Sequence, residues 1–176
     1  ADPDDVVAAT AHYRVNPATA FTDVPMALNP EGAWTVTLPG QEAGKIVQFY
    51  VSARDGLGAA AFAPVKGPDS RALYQVADTQ GTLLPLHELR VIQLDTDRDF
   101  MLRATNVMSQ ARLGATVIYN QSEVFYDAGM RLQGSAAGRA RDGDAYINYD
   151  IAFPPDHRFR QVSGDRRRGR SHAPGR

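Results

Sequence analysis

The segment Gly134-Ser135-Ala136-Ala137-Gly138-Arg139-Ala140-Arg141-Asp142-Gly143 combines backbone freedom with positive charge. Glycines allow successive peptide N–H groups to turn toward one anion, and Arg139 and Arg141 add guanidinium donors, so the parts of a phosphate cradle are present. Ser135 adds a hydroxyl. The same composition suits a solvated hairpin loop, and the residues alone leave both readings open. Arg131 falls on the face opposite Met130 and Leu132, directed either at a ligand in the same place or into water. The candidate ligand-binding set is therefore Arg131, Gly134, Ser135, Arg139 and Arg141.

Other chemistry-bearing residues give weaker patterns. Asp95, Asp97 and Asp99 have the spacing that opens a calcium loop, but the required glycine is missing and Asn106 stands where a bidentate Glu should close it. A helix start explains them better, with Thr96 as the cap and Asp97 and Asp99 in the first turn. Asp2, Asp4 and Asp5 are expected at the same pole of a sandwich as Asp55, where they form either a calcium site between tandem domains or two solvated turns. His12, His87, His157 and His172 show no ligand spacing, so no zinc site is expected. Ser, His and Asp are all present, but no nucleophile-elbow pattern surrounds a serine, and the sequence predicts no hydrolase triad. Tyr13, Trp34, Phe49, Tyr119 and Phe153 are expected in the core, with Tyr50 and Tyr146 outward, too few for a sugar-binding platform.

The elements that must position these residues are mostly strands. Apolar and polar residues alternate over 9–15, 24–28, 34–38 and 47–53, the period of strands with one buried face. Asn16-Pro17, Asn29-Pro30-Glu31-Gly32, Pro39-Gly40 and Asp55-Gly56-Leu57-Gly58 supply the turns. Short strands with closely spaced turns predict an antiparallel sandwich. Residues 66–70 read as a loop and 72–76 as a last strand, with a domain boundary near 78. Beyond it come a strand over 86–94, the short helix, a hairpin of 113–119 with 124–132, and a strand over 145–153 stopped by Pro154-Pro155.

Composition narrows the function classes. The chain has 176 residues, 43% apolar and 22% charged, and no cysteine, which excludes thiolate zinc, a cysteine nucleophile and any disulfide. No apolar run is long enough to span a bilayer, and the acidic first residues lack a signal-peptide pattern. The net charge of −1 hides an acidic body, net −7 over residues 1–157, and an Arg-rich end, net +6 over 158–176. An acidic body argues against nucleic-acid binding. The end reads as a solvated tail, a contact for anionic partners, or the product of a shifted reading frame.

Two stretches resemble known families. Asp2-Pro3-Asp4-Asp5, Ala11-His12-Tyr13-Arg14-Val15, Trp34-Thr35-Val36-Thr37-Leu38-Pro39-Gly40 and Phe49-Tyr50-Val51-Ser52-Ala53-Arg54-Asp55-Gly56 resemble immunoglobulin-like or fibronectin-like spacers of large bacterial secreted proteins, with the first strands missing. Leu86-His87-Glu88-Leu89-Arg90, Ala115-Thr116-Val117-Ile118-Tyr119-Asn120, residues 123–135 and Pro154-Pro155-Asp156-His157-Arg158-Phe159-Arg160 resemble the start of a CotH-type (spore coat protein H) kinase domain. Together they cover most of residues 4–160.

The resemblance implies a parent that is an atypical protein kinase using ATP and a divalent metal ion, with its catalytic and metal-binding aspartates downstream of the matched region; this chain by itself is expected to be inactive and to take no cofactor. No catalytic or metal-binding residue is therefore assigned in this chain. Members of that family carry basic residues on the strand matching 147–153, whereas this chain has none there and carries Asp150. The resulting expectation is a mainly β chain: an incomplete antiparallel immunoglobulin-like sandwich over 1–78, the β-rich start of a kinase-like α+β domain over 79–160, and a basic tail over 161–176. The parent would be a secreted or cell-surface multidomain protein with protein substrates or cell-surface partners, contacting its own neighbouring domains. The alternative is a non-enzymatic adhesion or cell-wall module.

Overall fold

The computed structural model describes residues 5–76, 87–134 and 148–159. Its strands in chain order are β1 (Val6–Val15), β2 (Thr22–Pro25), β3 (Ala27–Leu28), β4 (Trp34–Thr35), β5 (Ile46–Asp55), β6 (Ala60–Ala63), β7 (Leu73–Gln75) and β8 (Leu89–Ile92). Helix α1 (Asp95–Leu102) follows, then β9 (Leu113–Tyr119), β10 (Glu123–Gln133) and β11 (Asn148–Ala152). The chain is mainly β and its sheets are antiparallel. No helix among the described residues is long and apolar enough to cross a membrane.

Strands β1 and β5 form the centre of the first sheet, in register from Ala8 opposite Arg54 to Val15 opposite Val47. Strand β2 borders β1, and β6 and β7 share the other edge of β5. The turns form as their residues demand. Asn29 Oδ1 accepts from the N–H of Glu31 and Ala33, and Asp55 Oδ1 accepts from Leu57 and Ala59. These are Asx turns, in which a short side chain imitates a backbone acceptor. Gly32 and Gly58 follow with positive φ.

The second sheet has the order β11-β10-β9-β8. Asn120 and Gln121, both with positive φ, turn β9 into β10, as a tight hairpin requires. Buried Phe125, Val117 and Ala128 form one cluster, and Met101 of α1 packs with Val107, Ala115, Met130 and Leu132 in another.

Several sequence expectations need correction. Thr96 does not cap α1: Leu94 occupies that position with no side-chain cap, and Asp95 and Asp97 are the first-turn acids, not Asp99. Strand pairing over 34–38 is confined to Trp34–Thr35, although Val36 and Leu38 remain more buried than Thr37. Strand β6 was not expected, because Ala-Ala-Phe-Ala has no polar alternation. The five aromatics expected in the core are half-buried, Tyr119 and Phe153 packing against the cluster around Phe125, which among the described residues is the fully buried ring.

A polar seam and a small apolar cluster join the two sheets across the expected boundary. Leu73, Ile92 and Leu94 are buried together, with Ile46 and Ile118 against them. Thr116 Oγ1, fully buried, donates to Arg71 O at 2.6 Å and accepts from Leu73 N at 2.8 Å. Asp127 lies at a bulge in β10 with φ 56°. The extra residue aims its carboxylate across the seam, where it accepts from Ser70 Oγ at 2.9 Å and Arg71 N at 2.6 Å. Arg71 in turn grips Asp97 at 2.6 Å.

Candidate functional site

Arg131 of β10 lies directly opposite Asp150 of β11. Side chains opposite each other in an antiparallel pair point to the same face. Arg131 Nε donates to Asp150 Oδ2 at 2.9 Å, and its Nη2 lies 2.7 Å from the same oxygen. Arg112, just before β9, reaches that oxygen from the other side, with Nη2 at 2.8 Å and Nη1 donating to the Asp150 carbonyl at 3.1 Å. Its aliphatic stem crosses Gly129, where an added Cβ would meet Arg112 Cδ at 3.1 Å. Glycine at 129 therefore leaves room for the arginine to lie across the sheet. Gln110 Oε1 accepts from Arg131 Nη1.

The electrostatics are simple. One carboxylate faces two guanidiniums that stay protonated at any ordinary pH, so the trio carries one net positive charge. The hydrogen bonds from Arg112, then those from Arg131, hold the Asp150 carboxyl below its ordinary value, against an opposing effect of burial. About 29% of the Arg131 side chain remains exposed. Gly134, one residue past the end of β10, has φ 115°, a conformation that glycine tolerates.

The structure thus places Arg131 and Gly134 at the same end of β10 and adds Arg112, Gln110 and Asp150, which the sequence did not bring to the site. Ser135, Arg139 and Arg141 lie outside the described residues. Residues 148–152 carry no basic side chain, and the cations that face Asp150 come from within β10 (Arg131) and from the residue before β9 (Arg112). Sequence alternation places Arg131 on a face, but it cannot set the register of β11, and only that register reveals the Asp150 pairing. Beside Arg131 the depression toward α1 holds about 10 Å³, room for one water. A larger cleft of about 430 Å³ opens elsewhere, between residues 64–66, Tyr126 and Asp127, and residues 154–157.

The remaining candidates separate. Asp95 accepts from Asn16 Nδ2 and pairs with Arg98, Asp97 pairs with Arg71, and Asp99 pairs with Arg98. The three acids do not converge, and among the described residues no group of three or more His, Cys, Asp or Glu could hold a metal ion. Asp55 spends its carboxylate on its own turn, with Asp5 near the same pole; Asp2 and Asp4 lie outside the described residues. His87 bonds Tyr119, and His157 lies 3.5 Å from Glu123. Tyr146 and His172 also fall outside the described residues. No protein-family model matches the chain, and no curated protein matches it either.

Proposed function

We propose that this chain is a spacer followed by the first sheet of a CotH-like, ATP-dependent kinase-type module, part of a secreted or cell-surface multidomain bacterial protein. The immunoglobulin-like character of the first sheet belongs to the same proposal, supported by its antiparallel pairing and short Asx turns. The observation that carries the nucleotide reading is the trio Arg112–Asp150–Arg131. Phosphoryl groups need fixed cations rather than covalent chemistry from the protein. Asp150 holds two guanidiniums in place without neutralising both. In this reading Asp150 is a positioning residue, and Arg131 and Arg112 meet the phosphates of ATP accompanied by a divalent metal ion. The residues that would hold that ion and transfer the phosphoryl group belong, by the resemblance, to sequence beyond the matched stretch. In departure from the expectation that this chain alone takes no cofactor, the proposal has it bind nucleotide without transferring phosphate.

A second reading, a non-enzymatic adhesion or wall module, draws support from one observation. The Nε and Nη2 donors of Arg131 are already occupied by Asp150. Titration of a fluorescent ATP analogue with magnesium separates the two. The nucleotide reading expects saturable binding that Arg131→Ala weakens about tenfold, the size of one charge-assisted hydrogen bond. Absence of saturable binding to the wild-type chain would overturn it in favour of the structural module.

A further inference from the structure

One face of the first sheet carries Ser52, His12 and Asp23 on three neighbouring strands, β5, β1 and β2. His12 Nδ1 lies 2.6 Å from Asp23 Oδ1, and His12 Nε2 lies 2.8 Å from Ser52 Oγ. The partners assign the protons. An ionised carboxylate only accepts, so Nδ1 bears hydrogen, and Nε2 is left to accept from the serine hydroxyl. This is the order of contacts that activates a serine nucleophile, recognised by geometry and roles rather than by sequence position. The ring plane is fixed as well: His12 stacks on Tyr50 at 4.3 Å between centroids and 9° between planes. Phe21 and Phe62 brace Tyr50 edge-on.

We propose that Ser52, His12 and Asp23 form a hydrolytic triad acting on aryl esters. The site rests on the first sheet alone, and its success or failure is independent of the nucleotide reading. The three residues lie 11 and 40 positions apart and meet only through strand register, which their spacing along the chain does not display.

The substrate class follows from what surrounds Ser52. Its backbone lies within the ladders of β5, opposite Thr10 on one side and Phe62 on the other. Main-chain N–H groups there are committed to pairing, and loss of an oxyanion donor slows acyl transfer about 10²–10³-fold. A good leaving group must compensate, which points to phenol esters. Phe62, directly opposite Ser52 in register and 46% exposed, offers an apolar seat for the aryl ring.

In the acylation step Ser52 Oγ attacks the carbonyl carbon while its proton passes to His12 Nε2. The C–O bond to the aryl group breaks, and the phenol leaves with the proton from His12. Water then attacks the acyl-serine, its proton passing through His12 to Ser52 Oγ as the carboxylic acid departs. Asp23 keeps the imidazole in the required tautomer throughout.

Incubation of the full chain with 4-nitrophenyl acetate, with nitrophenol release and peptide mass mapping as readouts, tests this. The expected result is acetyl on Ser52 and a rate lowered at least about tenfold by Ser52→Ala. Asp23→Asn, which keeps the side chain's shape but favours the wrong tautomer, is expected to slow acetylation of Ser52 by a similar factor while leaving the circular dichroism spectrum unchanged. An unchanged rate in folded Ser52→Ala, with acetyl found only on histidine or lysine, would show a plain cross-strand hydrogen-bond chain and overturn the triad.

Discussion

Two guanidiniums converge on one oxygen of Asp150, and that single residue ties the candidate site to the stability of the sheet. Its folded carboxyl titrates below the ordinary 3.8. A group whose folded pKa is depressed contributes stability that is present above its unfolded pKa and lost as pH falls through the folded one. The wild-type chain is therefore expected to exceed Asp150→Asn in stability at neutral pH, with the gap closing only below about pH 4. Urea melts of both proteins from pH 7 to pH 2 check this, and a gap that stays constant across the range would remove the ion pairing as its cause. The sequence placed Arg131 on a usable face. It could not reveal that Arg131 and Arg112 share a counter-ion, because Arg112 approaches from outside a strand.

At the scale of elements, the seam between the sheets depends on close approach. An added Cβ at Gly114 would lie 2.4 Å from Arg71 Cγ. Arg71 cannot easily swing away, because its guanidinium is tied to Asp97 and its main chain to Thr116 and Asp127. Gly114→Ala is expected to destabilise the chain by about 1–3 kcal/mol, the usual cost of overpacking. A thermal melt unchanged within about 0.5 kcal/mol would show that Arg71 is free to move. Most strands were legible, since alternation marks a half-buried strand directly: β1, β5, β9 and β10 lie where it predicts. Strand β6 escaped because Ala60–Ala63 has no polar residue to alternate with its apolar ones. The helix cap was misplaced because Thr96 looks like a cap locally, while the preceding Leu94 sits in the buried cluster between the sheets and takes the boundary position. The bulge at Asp127 had no signal in the sequence, because only the pairing of β9 with β10 creates it.

At the scale of the molecule, the two larger antiparallel sheets share a small buried cluster and expose edges. Strand β2 covers β1 only from Thr10 to Tyr13, and Val6 and Val7 beyond it are 43% and 60% exposed. Among the described residues β11 pairs on one side only. Open edges beside exposed apolar side chains favour strand addition between copies. The purified chain is expected to associate as its concentration rises, measured by sedimentation velocity. A monomeric boundary at all concentrations with a sharp cooperative melt would contradict that expectation. The first sheet and the second carry different proposed chemistry, an aryl-ester triad and a phosphate-facing arginine trio, so each can be tested without the other. The central claim concerns the second. Its most direct test is backbone amide mapping by NMR during titration with ATP and magnesium. The account predicts shifts confined to the surroundings of Arg112, Arg131 and Gly134, with β1 and β5 unmoved. Absence of any shift, or shifts confined to the first sheet, would contradict it.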